Sequence, residues 1–180
     1  MKQLVDYMVA ALVLLLCCPL LLYIAIRIRM QGAGSVFYQQ ERLGKGGVPF
    51  RMVKFRTMVT GAEDDQRVTV FGRTLLKHHL DELPQFWNVL KGDMSIVGPR
   101  PERAWFVQQI LEKTPDYKRI FNLKPGITSL GMVKFGYANT IEKMIERSRY
   151  DLYYLEHYSF WLDVKILLAT VREVWIGKGI

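Results

Sequence analysis

Residues 7–26 form a run of 20 uncharged, mostly apolar residues, YMVAALVLLLCCPLLLYIAI. At 1.5 Å per residue a helix of that length reaches ~30 Å, about the thickness of a bilayer's hydrocarbon core. Such a run calls for lipid, and whatever follows it must fold at a membrane surface. Pro19 interrupts it. Proline removes a backbone hydrogen bond and clashes with the preceding turn, so a bend is expected at Cys18 and Pro19. Two topologies fit: a kinked helix that spans, or a helix-break-helix that enters the bilayer and returns to the same face. Composition by itself favours spanning, because membrane helices tolerate proline. The flanking charges, Lys2 on one side and Arg27 and Arg29 on the other, are compatible with either. A cleaved signal peptide is not expected, since the run is long and no small-x-small site closes it. Leu16 is too bulky for a lipoprotein cleavage before Cys17.

Residues 1–30 therefore read as a membrane anchor and residues 31–180 as one domain, long enough for a single core. The chain carries a net charge of +8. Beside a membrane segment, that excess favours lipid headgroups and substrate phosphates as partners. No nucleic-acid-binding motif accompanies it. The two cysteines, Cys17 and Cys18, both lie in the apolar run, so the body has neither a disulfide framework nor a cysteine metal site. Nothing in the sequence signals an oligomeric state or encodes a particular sugar.

In the body, residues 35–40 and 48–58 alternate as strands do, with Gly44, Gly46 and Gly47 between them, which predicts a small hairpin. Lys54 and Arg56 fall on one face of its second strand. They either line a site or solvate an edge. Residues 61–67 are acidic and loop-like. The segment 81–101, DELPQFWNVLKGDMSIVGPRP, carries the densest chemistry. Asp81 reads as the N-cap of a helix starting near Glu82, with Pro84 in its first turn, Leu83, Phe86, Trp87 and Leu90 at helical spacing, and Gly92 as its stop. Pro99 and Pro101 hold Arg100 on stiff, extended backbone, which suits bidentate phosphate recognition. Taken singly, each feature is better accounted for by a plain cap or a solvated turn. His78 and His79 are not a metal pair, because sequence neighbours point apart, and they read as local polar packing.

The order of motifs changes that balance: Lys54-Phe55-Arg56-Thr57-Met58, Asp81-Glu82-Leu83-Pro84-Gln85, Gly92-Asp93-Met94-Ser95, Gly98-Pro99-Arg100-Pro101 and Lys124-Pro125-Gly126-Ile127-Thr128. In this arrangement the chain resembles the bacterial sugar transferase family of monotopic polyprenyl-phosphate phosphoglycosyl transferases, from the apolar run nearly to the C-terminus. The resemblance implies transfer of a phosphosugar from a UDP-sugar to polyprenyl (undecaprenyl) phosphate with release of UMP, as the first membrane step of glycan assembly. It implies Asp81 as the nucleophile that forms an aspartyl phosphosugar, Glu82 as the ligand of Mg²⁺, and Arg100 as a phosphate-binding residue. It places Lys54 and Arg56 at the site, and Asp151, ahead of Tyr153 and Tyr154, as a brace for it, although ion pairing with a nearby arginine accounts for Asp151 equally well. It also favours the re-entrant anchor, with the catalytic body on the cytoplasmic face of the bacterial inner membrane.

The chain departs from the family pattern in several places. Leu76 stands where many members have an arginine, so either Lys77 substitutes or that contact is absent, and Lys124 stands at the place of another arginine. Ser129 replaces a glycine, and Cys18 the serine that commonly precedes the break proline. The C-terminal third is rich in aromatic residues broken by charges, so it reads as amphipathic helices lying at the interface or as a helical core with tyrosines at its rim. The expected fold is thus α+β and mainly α: a re-entrant helix-break-helix, interfacial helices and a small antiparallel β element. The competing functions are a membrane-tethered, non-enzymatic basic scaffold and a Mg²⁺-dependent phosphohydrolase.

Overall fold

A computed structural model describes residues 2–59 and 68–176; the acidic stretch 61–67 lies outside the described residues. Helix α1 (Lys2–Leu16) and helix α2 (Cys18–Met30) meet at Cys17 with a 61° bend. Pro19 falls in the first turn of α2, where an N–H has no helical partner to lose. The expected break is therefore present, one residue earlier than proline alone indicated. Among the described residues no single helix is long and apolar enough to cross a membrane, although the bent pair together passes that test.

Strands β1 (Phe37–Leu43) and β2 (Pro49–Phe55) form the expected antiparallel hairpin, with Phe37 opposite Phe55 and Leu43 opposite Pro49. Gly46 (φ 72°) and Gly47 (φ 75°) make its turn. The second strand stops at Phe55, not near Met58. Beyond it one last bond in the same register, from Arg56 N–H to the Val36 carbonyl, ends the ladder, and Met58 bridges to Val68 instead. The free edge of β2 is closed by a side chain. Asn88, wholly buried in helix α4 (Gln85–Lys91), accepts from Val53 N–H (3.0 Å) and donates to the Arg51 carbonyl (2.8 Å), in the manner of another strand.

Helix α3 (Val70–Lys77) is capped by Thr69, whose hydroxyl accepts from Gly72 N–H at 2.8 Å. A second sheet, not foreseen, pairs β3 (Ser95–Val97) in parallel with β4 (Gly126–Thr128) across a crossover that includes helix α5 (Ala104–Lys113) and the 3-10 segment Pro115–Asn122. Three residues per strand are too few to leave a periodic signature. Helices α6 (Leu130–Lys134), α7 (Ile141–Glu156) and α8 (Phe160–Ile176) follow.

The main core gathers Ala10 of α1, Met52 of β2, Val89 of α4, Ile96 of β3, Tyr154 of α7 and Ile166 of α8. The N-terminal helix is therefore part of the domain's packing. A second cluster packs Ile24 and Ile28 of α2 on Phe55 and Leu75. Opposite this packing, Leu12, Leu15 and Leu16 of α1 and Trp161, Leu168 and Trp175 of α8 stay exposed. The architecture is mainly helical α+β.

Candidate active site

Asp81 and Glu82 do not begin a helix. His79 takes a left-handed conformation (φ 53°), Leu80–Glu82 forms one 3-10 turn, and α4 starts only at Gln85. The expected N-cap at Asp81 is corrected: Glu82 N–H donates to the His79 carbonyl and Leu83 N–H to the Leu80 carbonyl, so Asp81 sits inside a 3-10 turn, and the α-helix follows only from Gln85. The turn nevertheless buries both carboxylates, with Asp81 4% and Glu82 8% exposed. Bare burial of two adjacent acids would be costly, and cations offset it. Lys54 Nζ of β2 lies 2.5 Å from Glu82 Oε1 and 3.8 Å from Asp81 Oδ2. Arg100 Nη2 lies 4.0 Å from Glu82 Oε1, and its Nη1 is 3.0 Å from Met132 Sδ.

These neighbours separate the two acids electrostatically. Burial and the adjacent Glu82 push Asp81 up to about 6, against the pull of Lys54 and Arg100. Burial also acts on Glu82, but Lys54 and Arg100 outweigh it and hold Glu82 below the usual glutamate range. At neutral pH the pair is thus a firmly ionised Glu82 beside a more basic Asp81.

Arg100 is fixed through its backbone. Its N–H donates to Asp151 Oδ2 at 3.3 Å, while Gly131 N–H donates to Asp151 Oδ1 at 2.9 Å. Burial raises the pKa of Asp151 in spite of these bonds. The segment before Arg100 runs very close to β4. A Cβ on Gly126 would sit 2.2 Å from Gly98 N, and one on Gly98 would sit 2.3 Å from the Lys124 carbonyl. Only glycine allows the backbones so near.

Asp81, Glu82, Lys54 and Arg100 stand at one side of a cavity of about 280 Å³ whose remaining wall includes Ile127, Met132, Val133 and Val174. A charged, phosphate-compatible end thus adjoins an apolar one. The other sequence candidates lie elsewhere. Arg56 donates to the carbonyls of Ala33 (2.9 Å), Ile28 (3.4 Å) and Gly32 (3.4 Å), closing the C-terminal end of α2. Lys124 Nζ sits over the Tyr7 ring, 6.0 Å from its centroid. Lys77 is exposed and does not line the cavity. Strand alternation set Arg56 beside Lys54, and the end of β2 at Phe55 separated them.

The structure adds lining residues that the sequence did not single out. Arg147 reaches the cavity while paired with Glu102, which also holds Arg42 at 3.3 Å. The i, i+4 spacing of Arg147 and Asp151 on α7 was the available signal. His78 and His79, read as packing, both line the cavity, and His78 Nδ1 lies 3.3 Å from the Val174 carbonyl. Among the described residues no three His, Cys, Asp or Glu side chains converge as a ready metal cage. The donor set does suit Mg²⁺, which commonly takes one or two carboxylates and draws its other oxygens from substrate phosphate and water.

Residues 1–177 match the family described as bacterial sugar transferase. The chain is 39% identical over 187 residues to the UDP-N-acetylgalactosamine-undecaprenyl-phosphate N-acetylgalactosaminephosphotransferase of Aeromonas hydrophila, an overlap of 99% of this chain and 44% of that protein. It is 40% identical over 189 residues to the UDP-glucose:undecaprenyl-phosphate glucose-1-phosphate transferase of Klebsiella pneumoniae, covering 99% of this chain and 41% of that one. An uncharacterized sugar transferase of Bacillus subtilis is 39% identical over 189 residues, covering 100% of this chain and 90% of the relative. The chain thus spans less than half the length of the first two relatives and most of the third.

Proposed function

The chain belongs to the bacterial sugar transferase family, and from that premise we propose that it transfers a phosphosugar from a UDP-sugar to undecaprenyl phosphate at the cytoplasmic face of the bacterial inner membrane. The observation that carries this reading is the split carboxylate pair, a basic Asp81 beside an ionised Glu82, facing Lys54 and Arg100 in a cavity whose lining is also rich in apolar side chains.

Asp81 is the nucleophile. Its carboxylate oxygen attacks the sugar-linked phosphorus, the bond from that phosphorus to the bridging oxygen breaks, and UMP leaves. A phosphate oxygen of the lipid then attacks the same phosphorus and displaces the Asp81 carboxylate. A pKa near 6 serves the first half: above it Asp81 is ionised, yet it remains more nucleophilic than an ordinary aspartate. Arg100 and Lys54 compensate the negative charge that gathers on the transferring oxygens. Glu82 would hold Mg²⁺ together with the donor diphosphate. Bound there, the ion would supply charge neutralisation between an anionic nucleophile and an anionic phosphate. The apolar wall suits the first part of an isoprenoid chain, and a hydrolase has no evident need of it.

The re-entrant anchor is part of the same reading. Lys2, at the start of α1, pairs with Asp163 of α8 at 2.5 Å, and Arg56 closes the far end of α2. Both ends of the bent pair are thus tied to the catalytic body, which supports entry and exit on one face. Exposed Trp161 and Trp175 of α8 suit the headgroup layer of that face.

The test is transfer of labelled phosphosugar from a panel of UDP-sugars to undecaprenyl phosphate. UMP release that needs the lipid acceptor for turnover, and that is lost in Asp81→Asn, is expected. Steady hydrolysis without the lipid would favour the phosphohydrolase and overturn this reading. Unaltered activity in Asp81→Asn would remove the nucleophile.

A further inference from the structure

Asp6 lies on the anchor side of the molecule, one residue before the apolar run, yet it is only 7% exposed. Its carboxylate faces the catalytic body. Ser95 Oγ donates to Asp6 Oδ2 at 2.7 Å, and Ile96 N–H reaches Asp6 Oδ1 at 3.4 Å. The Ser95 hydroxyl also lies 3.0 Å from the Val97 carbonyl, a second acceptor for its one proton. Both Ser95 and Ile96 are buried. In a two-stranded sheet each strand has an outer row of backbone groups with no strand partner, and a buried one must be satisfied by something else. For β3 that partner is a carboxylate supplied by α1.

The geometry of the segment 95–100 gives this contact a consequence. Its inner edge is fixed by β4, through Ser95 N–H to the Pro125 carbonyl (2.8 Å) and Gly98 N–H to the Thr128 carbonyl (3.0 Å). Its far end is fixed by Asp151, which accepts from Arg100 N–H. Its near end is fixed by Asp6. Two buried carboxylates, one from the anchor helix and one from α7, therefore grip the two ends of the short segment that presents Arg100 to Glu82. Burying a carboxylate is expensive unless it is hydrogen-bonded, and an apolar side chain at position 6 would pack without that cost. An ionisable group retained beside a membrane segment calls for a use.

We infer that Asp6 is a positioning residue: through Ser95 and Ile96 it sets β3, and so the placement of the Arg100 guanidinium, making the anchor helix a working part of the phosphate-binding site. The inference rests on the transferase reading. Asp6 acts only through Arg100, so its removal matters while Arg100 is present and ceases to matter once Arg100 is gone.

A double-mutant cycle on the full-length protein in nanodiscs tests this, with UMP release measured from whichever of UDP-glucose, UDP-galactose and UDP-N-acetylgalactosamine the wild type turns over with undecaprenyl phosphate. Asp6→Ala is expected to lower kcat/KM tenfold to a hundredfold with an unchanged amount of membrane-bound protein. Asp6→Asn, which keeps one acceptor oxygen, should recover part of that loss. In the Arg100→Ala background the further loss from Asp6→Ala should shrink to within about twofold. If Asp6→Ala does not accumulate, Ser95→Ala takes its place in the cycle with the same expectation. Losses that multiply, or wild-type turnover in both Asp6→Ala and Ser95→Ala, overturn the inference while leaving the transferase reading intact. Absence of UMP release from the wild type with every donor would sink that reading, and the inference with it.

Discussion

Asp81 and Glu82 are covalent neighbours whose carboxyl groups are driven in opposite directions, by burial on the one and by the nearby cations, Lys54 first and then Arg100, on the other. Lys54 sits on Glu82 and only near Asp81, so burial dominates at the first acid and attraction at the second. Two outcomes follow for Asp81. If its carboxylate is the nucleophile, kcat/KM should rise with pH through about 6 and level off above it, and a flat profile from pH 5 to 8 would contradict the assignment. Its pKa is also higher folded than unfolded, so between about 4 and 6 the folded chain keeps a proton that the unfolded chain loses. Stability therefore falls as pH rises across that window and stays lowered above it. At ~1.4 kcal/mol per pKa unit the penalty is about 3 kcal/mol. Asp81→Asn should accordingly be inactive yet unfold at a higher temperature than the wild type at pH 8, with the gap closing towards pH 4. For Glu82→Gln, most activity should go together with its response to Mg²⁺, measured as UMP release across a magnesium titration. The pair was legible in the sequence as two acids. Which of them is the more basic was not, because that depends on a lysine 27 residues away from Asp81 in the chain.

At the scale of elements, the site depends on pairs of backbones held closer, or satisfied more fully, than the strands alone provide. Asn88 stands in for a third strand beside β2, and β2 carries Lys54. Asn88→Ala would remove the partner of the Val53 N–H and of the Arg51 carbonyl, both at a part-buried edge, at roughly 1 kcal/mol for each bond lost. Chemical denaturation should show the loss, and activity at low temperature should fall less than stability does. Gly126 is the tighter constraint. Any side chain there meets Gly98 N at 2.2 Å and the Thr128 carbonyl at 2.3 Å, so Gly126→Ala must push β3 and β4 apart and displace Arg100. A tenfold or larger rise in donor KM is expected, and an unchanged KM would show that the Arg100 segment tolerates the shift. The hairpin was readable from alternation and glycine spacing. The parallel pair was not, because three-residue strands have no period and their partners lie across a long crossover.

For the whole molecule, the bent helix pair is part of the core as well as the proposed anchor. Ala10 is fully buried against the body while Leu15 and Leu16 of the same helix are exposed, so one face of α1 serves the domain and the other is free for the lipid contact proposed above. With Cys17 and Cys18 replaced by serine, a single cysteine at Gln3 should react with a membrane-impermeant thiol reagent only after the cytoplasmic side is opened. Labelling of intact spheroplasts from outside would refute the re-entrant anchor. Lys2→Ala and Asp163→Ala should weaken the seating of α1 non-additively, since they share one ion pair, with Asp163→Ala the costlier because it also removes the acceptor of the buried Tyr154 hydroxyl.

The sequence by itself determined the local terms: a 20-residue apolar run too long to leave in water, a proline that forces a bend, glycines that turn a hairpin, and an ordered set of motifs specific enough to name a family. Each is set within a few residues of chain or by motif order, so no coordinates are required to read it. Only the tertiary structure decided which cations meet which acids. It brought Lys54 and Arg100 to Glu82, turned Arg56 to the end of α2, set Lys124 over Tyr7, and joined Asp6 of the anchor to the strand before Arg100. Charge pairing and desolvation act through space over a few ångströms, and sequence separation does not encode that distance.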